Sequence, residues 1–273
     1  MGWFKCADYA RQARGTTGSG LSQYGSGVGS TPCTGLGISF GSLYVRRKYC
    51  MITVHHLDNS RSQRILWLLE ELGLAYEIVQ YRRDPKTLLA PASLRAIHPL
   101  GKAPVLVDGE NTLAESGAII EYLVDRYGEA TLKPQADSAA RLRYTYWLYY
   151  AEGSAMPPLL LNLVFSRMRS APMPFFVKPV AKALAGKVLS QFVEPQLRQH
   201  RDYLEGEMFR HAWFAGEAFS AADIQMSFPI EAMKARGVID AGQPRLIDWL
   251  ARIHARPAYQ RALERGGPFD VLR

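Results

Sequence analysis

The sequence predicts an α/β domain followed by an all-helical domain, behind a disordered, glycine-rich leader. Three observations carry this reading. Composition breaks at residue 51. Strand and helix patterns then alternate in the order β-α-β-(α)-β-β-α. From Ala136 onward the apolar residues recur at helical spacing, with no convincing strand pattern. The expected boundaries are 1–50 for the leader, 51–131 for the α/β domain and 137–273 for the helical domain, with a linker near Leu132–Ala136.

The leader holds 10 of the 23 glycines, all three cysteines (Cys6, Cys33, Cys50) and six basic residues against one acid, Asp8. Residues 15–42 have neither helical nor strand period and are expected to behave as a flexible chain. There is no early apolar block for a secretory signal, and glycine is too frequent for an amphipathic targeting helix. The expectation is a tail that is non-native or an over-extended translation start, with Met51 opening the body; the alternatives are a functional tail that binds anionic partners and a targeting segment. Of the formal charge of +8, the body keeps only 27 basic against 24 acidic residues, so the case for nucleic acid or an acidic membrane as partner falls away. No apolar run approaches the ~18 residues of a membrane span. Without cysteine, the body carries no disulfide scaffold and no cysteine-based redox or metal chemistry. No His/Asp/Glu spacing marks a metal site. A cytoplasmic location fits this usage.

Within the body, Ile52–His56 reads as the first strand. Arg61–Leu72 repeats apolar residues at Ile65, Leu68, Leu69 and Leu72, an amphipathic helix stopped by Gly73. Ala75–Val79 is a second strand, and strand-helix-strand order makes the two strands parallel. A polar, proline-bounded stretch covers Asp84–Pro99. Val105–Val107 and Thr112–Ala114 flank Asp108-Gly109, the signal of an antiparallel hairpin. Glu115–Tyr127 is helical, ended by Gly128. The remaining helices are expected at 137–168, 175–208, 221–236, 244–254 and 257–265, with Pro157-Pro158 bending or breaking the first.

Two stretches, HHLDNSRSQRILWLLEELGLAYE from His55 and HPLGKAPVLVDGENTLAESGAIIEYLVDRYG from His98, are followed downstream by WLYYAEGSAMPPLL and AGEAFSAADIQMSF. In this order and spacing they make Met51–Arg273 resemble the glutathione transferase superfamily, in particular fungal and bacterial members with a serine after the first strand. The resemblance implies a thioredoxin-like domain joined to a helical bundle, usually as a homodimer. It implies conjugation of the glutathione thiolate to hydrophobic electrophiles in detoxification, with glutathione as co-substrate and no cofactor.

Such an enzyme must ionise a thiol whose ordinary pKa is ~8.5, and each unit of lowering takes ~1.4 kcal/mol of thiolate stabilisation. A hydroxyl donor and a helix N-terminus supply it together. By the resemblance Ser60 is the catalytic serine; the competing readings are Ser60 as a plain helix cap and Ser62 as the donor. Lys102, Ala103 and Pro104 match the segment whose cis-proline turns the preceding backbone toward glutathione, with Lys102 facing its glycine carboxylate. Glu115 and Ser116 match the pair that holds the γ-glutamyl end, the helix N-terminus and Ser116 taking the carboxylate and Glu115 the ammonium. Of Tyr144, Tyr146, Trp147, Tyr149 and Tyr150, most are expected in the core and one or two at the electrophile pocket. Ser220 to Asp223 reads as a capping box. His55 and His56 alternate on the first strand, one toward the core and one to the opposite face, and His98 is read as structural. Alternative functions are a glutathione-dependent peroxidase on the same site and a non-catalytic, transferase-like interaction module.

Overall fold

The computed structural model describes residues 51–84, 87, 89–128, 131–267 and 269, all within one unit, Lys48–Arg273. The expected leader, residues 1–50, lies outside the described residues.

The first domain is a four-stranded mixed sheet with helices. Strand β1 (Ile52–Leu57) pairs in parallel with β2 (Tyr76–Tyr81) through helix α1 (Ser62–Glu71). After the short helix α2 (Ala92–Ile97), strands β3 (Val105–Asp108) and β4 (Asn111–Ala114) form the expected hairpin. Its two-residue loop is Gly109-Glu110, one residue beyond the Asp-Gly pair. Gly109 takes φ 62° at the first loop position, where a side chain is disfavoured. The sheet order β2-β1-β3-β4 places β1 in the middle, antiparallel to β3.

Helix α1 ends as its sequence predicts. Gly73 adopts φ 63°, its N–H bonds the Glu70 carbonyl at 3.3 Å, and the Leu74 N–H bonds the Leu69 carbonyl at 3.0 Å. What its periodicity did not foretell is burial on every side. Ser62 to Leu69 are all buried, because α3 (Ser116–Tyr127), α8 (Ala221–Ala235) and α10 (Pro257–Gly266) pack around it. Both histidines of β1 are likewise buried, His55 at 6 % and His56 at 2 % exposure, so neither faces solvent. The central strand is covered on both faces.

The second domain is helical throughout, apart from an isolated bridge between Trp213 and Gly216. Each of its first two long helices contains a π-helical turn just ahead of a proline. Ala151–Ala155 joins α4 (Ala139–Tyr150) to α5 (Met156–Ser170), and Leu189–Val193 joins α6 (Lys178–Val188) to α7 (Glu194–Arg210). Pro157-Pro158 and Pro195 therefore do not end their helices. The wider turn absorbs the missing N–H and the ring's bulk. Helix α9 (Pro244–His254) and α10 complete the domain. The Ser220–Asp223 box is formed at the start of α8. The Asp223 carboxylate, fully buried, accepts from the N–H of Ser220 and of Phe214, both at 3.0 Å, from the Ser220 hydroxyl at 3.1 Å and from the Trp249 indole at 3.2 Å. Burial nevertheless raises its pKa to about 6. No described helix is long and apolar enough to cross a membrane.

Candidate active site

Sheet topology brings the predicted residues to one place. Because β3 runs antiparallel to both β1 and β4, the end of β1, the start of β3 and the end of β4 lie at the same end of the sheet. Those are the points from which the chain leads to Ser60, from Ala103-Pro104, and to Glu115-Ser116. Five of the six predicted residues are thus drawn together by pairing alone, and Lys102, exposed, immediately precedes them in the chain.

Ser60 sits in the turn before α1, 5 % exposed. It is not the N-cap, which is Arg61, but its Oγ accepts the backbone N–H of Ser62 at 3.2 Å, so one free donor of the first turn is satisfied. Its hydroxyl lies 2.7 Å from the Ser62 Oγ. Ser62 is fully buried and heavily engaged. Its Oγ is 2.8 Å from His56 Nδ1 and accepts the Leu57 N–H at 3.3 Å. His56 Nε2 is 3.1 Å from the Gly266 carbonyl at the end of α10.

The peptide bond between Ala103 and Pro104 is cis, as the resemblance implied. Among the described residues the Ala103 backbone makes no hydrogen bond. Glu115 does not belong to the helix it precedes. It holds φ 71°, a left-handed conformation that costs a residue with a side chain ~1–3 kcal/mol. Helix α3 begins at Ser116, which is buried, and no side chain caps its first turn.

Sequence reasoning missed the group that ties this region together. Arg64, 1 % exposed, sends Nη2 to the Ser116 Oγ at 2.9 Å and to the Glu152 carboxylate at 2.6 Å, and Nη1 to the Gln225 carbonyl at 2.7 Å. The last contact has a cause legible in the sequence. Within α8 the Gln225 carbonyl needs the N–H of residue 229, which is Pro229 and has none. Arg64 supplies the donor from another domain. Arg61 also reaches Glu152, its Nε 3.0 Å from both carboxylate oxygens. Burial works against the Glu152 charge, but Arg64 and Arg61 outweigh it and hold the carboxyl below its ordinary range. Glu152 lies inside the π turn, so that irregularity presents the acid to both arginines.

Of the aromatic cluster on α4, Tyr144, Trp147 and Tyr150 are buried, while Tyr146 and Tyr149 are 47 % and 77 % exposed. Tyr146, Tyr149 and Tyr150 line a cavity of about 480 Å³ with Leu142 and Gly153. His98 closes α2 through its backbone. Among the described residues no cluster of three or more metal-ligating side chains occurs.

A thioredoxin-like sheet, a helical bundle packed on it, and a serine at the start of α1 define the class to which these features belong. Residues 50–125 match the glutathione S-transferase N-terminal domain and residues 171–257 its C-terminal domain. The chain belongs to the glutathione S-transferase family. It is 34 % identical over 223 residues to glutathione S-transferase 1 of Saccharomyces cerevisiae, covering 79 % of this chain and 95 % of that one. Among solved structures, a glutathione S-transferase from Actinobacillus pleuropneumoniae is 36 % identical, with a TM-score of 0.65 over 81 % of this chain and 95 % of the other. A sphingomonad glutathione S-transferase complexed with glutathione is 26 % identical, with a TM-score of 0.60 over 79 % and 98 %.

Proposed function

We propose that the chain conjugates glutathione to hydrophobic electrophiles, with Ser60 as the hydroxyl that donates to the thiolate. The observation that carries this is the meeting of the β1, β3 and β4 ends around Ser60. In this reading the cysteinyl backbone of glutathione pairs with the N–H and C=O of Ala103, extending the sheet edge ahead of Pro104. The γ-glutamyl carboxylate takes the uncapped N–H groups of α3 and the Ser116 hydroxyl, which Arg64 orients. Glu115 attracts the ammonium, and Lys102 the glycine carboxylate. The sulfur then lies against Ser60 and the positive end of α1. Ser62 is the weaker candidate, because its hydroxyl is held by His56 and Leu57 in full burial.

The aromatic cavity on α4 receives the apolar part of the electrophile, with Tyr146 and Tyr149 as its exposed rings. A homodimer, a cytoplasmic location and a detoxifying role are proposed on the family likeness. Sedimentation of a monomer at micromolar concentration is the result that removes the first of these.

Ser60→Ala tests the assignment. Losing the backbone contact should cost about 1 kcal/mol of stability. The thiol pKa in the binary complex should rise, and turnover near neutrality should fall far more than glutathione affinity. The rate deficit should shrink as pH rises and the thiol ionises unaided. An unchanged thiolate titration refutes the role, and the same loss in Ser62→Ala alone moves it two residues along.

A further inference from the structure

One buried titratable group has no task in this reading. His56 has partners at both ring nitrogens, and they fix the direction of every proton between it and Ser60. The Gly266 carbonyl only accepts, so Nε2, 3.1 Å away, carries the proton. Burial lowers the pKa of the ring below its ordinary value, so it is neutral and Nδ1 is bare. Bare Nδ1 accepts from Ser62, 2.8 Å away, and that uses the one proton of the Ser62 hydroxyl. The Leu57 carbonyl, 3.4 Å away, is the other acceptor in reach of that proton, and the nearer Nδ1 takes it; the Ser62 oxygen then offers lone pairs to the Leu57 N–H at 3.3 Å and the Ser60 hydroxyl at 2.7 Å. The resting array is a directed chain. Ser60 donates to Ser62, Ser62 donates to His56, and a lone pair of Ser60 is left for an incoming S–H.

We propose that His56 accepts the thiol proton of glutathione through Ser60 and Ser62, so that ionisation at this site produces a thiolate and a buried imidazolium. The proposal rests on Ser60 being the thiolate donor. The S–H bond breaks as its proton passes to Ser60 Oγ, the Ser60 proton passes to Ser62 Oγ, and the Ser62 proton passes to His56 Nδ1. No atom or electron enters or leaves. Before and after, each link holds one proton; every hydrogen bond is kept and reversed. The alternative is less favourable. If Ser60 turned its proton to the sulfur while His56 stayed neutral, either the two serine oxygens would face each other at 2.7 Å with no proton between them, or Nδ1 would lose its donor. An unmade hydrogen bond in a buried array leaves a desolvated polar atom without a partner, which disfavours both arrangements.

The surroundings suit the task. Asp58, in the turn after β1, acts on the ring with a charge that favours the imidazolium, and the thiolate adds a second. Helix α1 presents Ser62 and Gln63, β2 presents Gln80 in register, and α10 presents the Gly266 backbone, none of them charged. A Cβ at Gly266 would lie 2.6 Å from Leu66 Cδ1 and 2.8 Å from Gln63 Oε1, so glycine lets the last turn of α10 approach the ring without displacing those two side-chain ends.

Proton counting tests the relay. Wild-type protein mixed with glutathione near neutral pH in weak buffer should show thiolate absorbance with well under one proton released per thiolate. His56→Asn keeps an acceptor near Nδ1 but takes up no proton. It should release one proton per thiolate, and its thiol should titrate at higher pH. In ¹⁵N spectra of wild-type protein, Nδ1 of His56 should move from the bare to the protonated range with glutathione. It should stay bare with S-methylglutathione, which has no thiol proton. Release of a full proton by the wild type, or an Nδ1 that stays bare, overturns the proposal even if His56→Asn fails to fold. If Ser60→Ala keeps its thiolate, the Ser60 reading has failed and the relay with it. If Ser60→Ala loses the thiolate while wild type releases a full proton, only the role of His56 falls.

Discussion

Arg64→Met is the perturbation whose consequence the structure lets us work out most fully. Methionine fills the stem of the arginine but donates nothing. The Gln225 carbonyl, which Pro229 leaves without a donor in its own helix, is then orphaned in the interior. Ser116 loses the guanidinium at 2.9 Å. Glu152 keeps Arg61, so its charge is not left bare. Removing one partner of a buried pair costs ~3–5 kcal/mol, and the retained Arg61 places the expectation at the lower end. For a body of this size about 1 kcal/mol moves the melting temperature by ~2–4 °C, so the drop should be roughly 6–12 °C. Calorimetry measures it, and titration with glutathione should show weaker binding because Ser116 is no longer oriented. The decisive arm is a double-mutant cycle with Pro229→Ala, which restores an N–H to the Gln225 carbonyl. In that background Arg64→Met should cost ~1–2 kcal/mol less. Additive effects would refute the claim that Arg64 stands in for the N–H that Pro229 lacks.

The other expectations concern both domains. Glu115→Gly should leave the melting temperature unchanged or raise it, since glycine relieves φ 71°, while glutathione affinity falls; a fall in stability with unchanged affinity would reduce Glu115 to a structural residue. Ser116→Ala should weaken glutathione binding by ~1–3 kcal/mol, read by calorimetric titration. Asp223→Asn turns an acceptor of four hydrogen bonds into a group that presents N–H₂ to the Ser220 N–H, and chemical denaturation should show a loss of about 2 kcal/mol or more. The Glu152 carboxyl is depressed in the folded state, so its contribution is present above the ordinary carboxylate pKa of ~4.3 and lost as pH falls through its lower folded value. Wild-type melting temperature should therefore drop more steeply in that acid range than that of Glu152→Gln.

Local pattern alone determined most of the helices and strands, the parallel β1–β2 pair, the hairpin, the Gly73 stop and the capping box at Asp223, but not the bounds of α2 or the two π turns. Each depends on side chains within a few positions of one another, and period and turn chemistry report on that range. The resemblance carried in its motifs nominated Ser60, Lys102, Ala103, Pro104, Glu115 and Ser116 as candidates, and strand pairing sets the loops that carry them at one sheet end. What the sequence left open was every contact made across long separations. Serine at 60 and serine at 62 are chemically alike in a linear reading. They differ because β1 puts His56, itself held by the Gly266 carbonyl of α10, against Ser62 and not against Ser60. The two histidines of β1 were expected on opposite faces, one toward the core; both are buried, His56 against Ser62 and Gly266 and His55 against Tyr81 of β2. Arg64 could be read only as a charged residue on an amphipathic helix. Its role exists because a proline 165 positions later removes a donor from α8, and a π turn directs Glu152 at the same guanidinium. Unpaired carbonyls and buried charges are settled by whichever group folding brings within 3 Å, and that is a property of packing rather than of any stretch of chain.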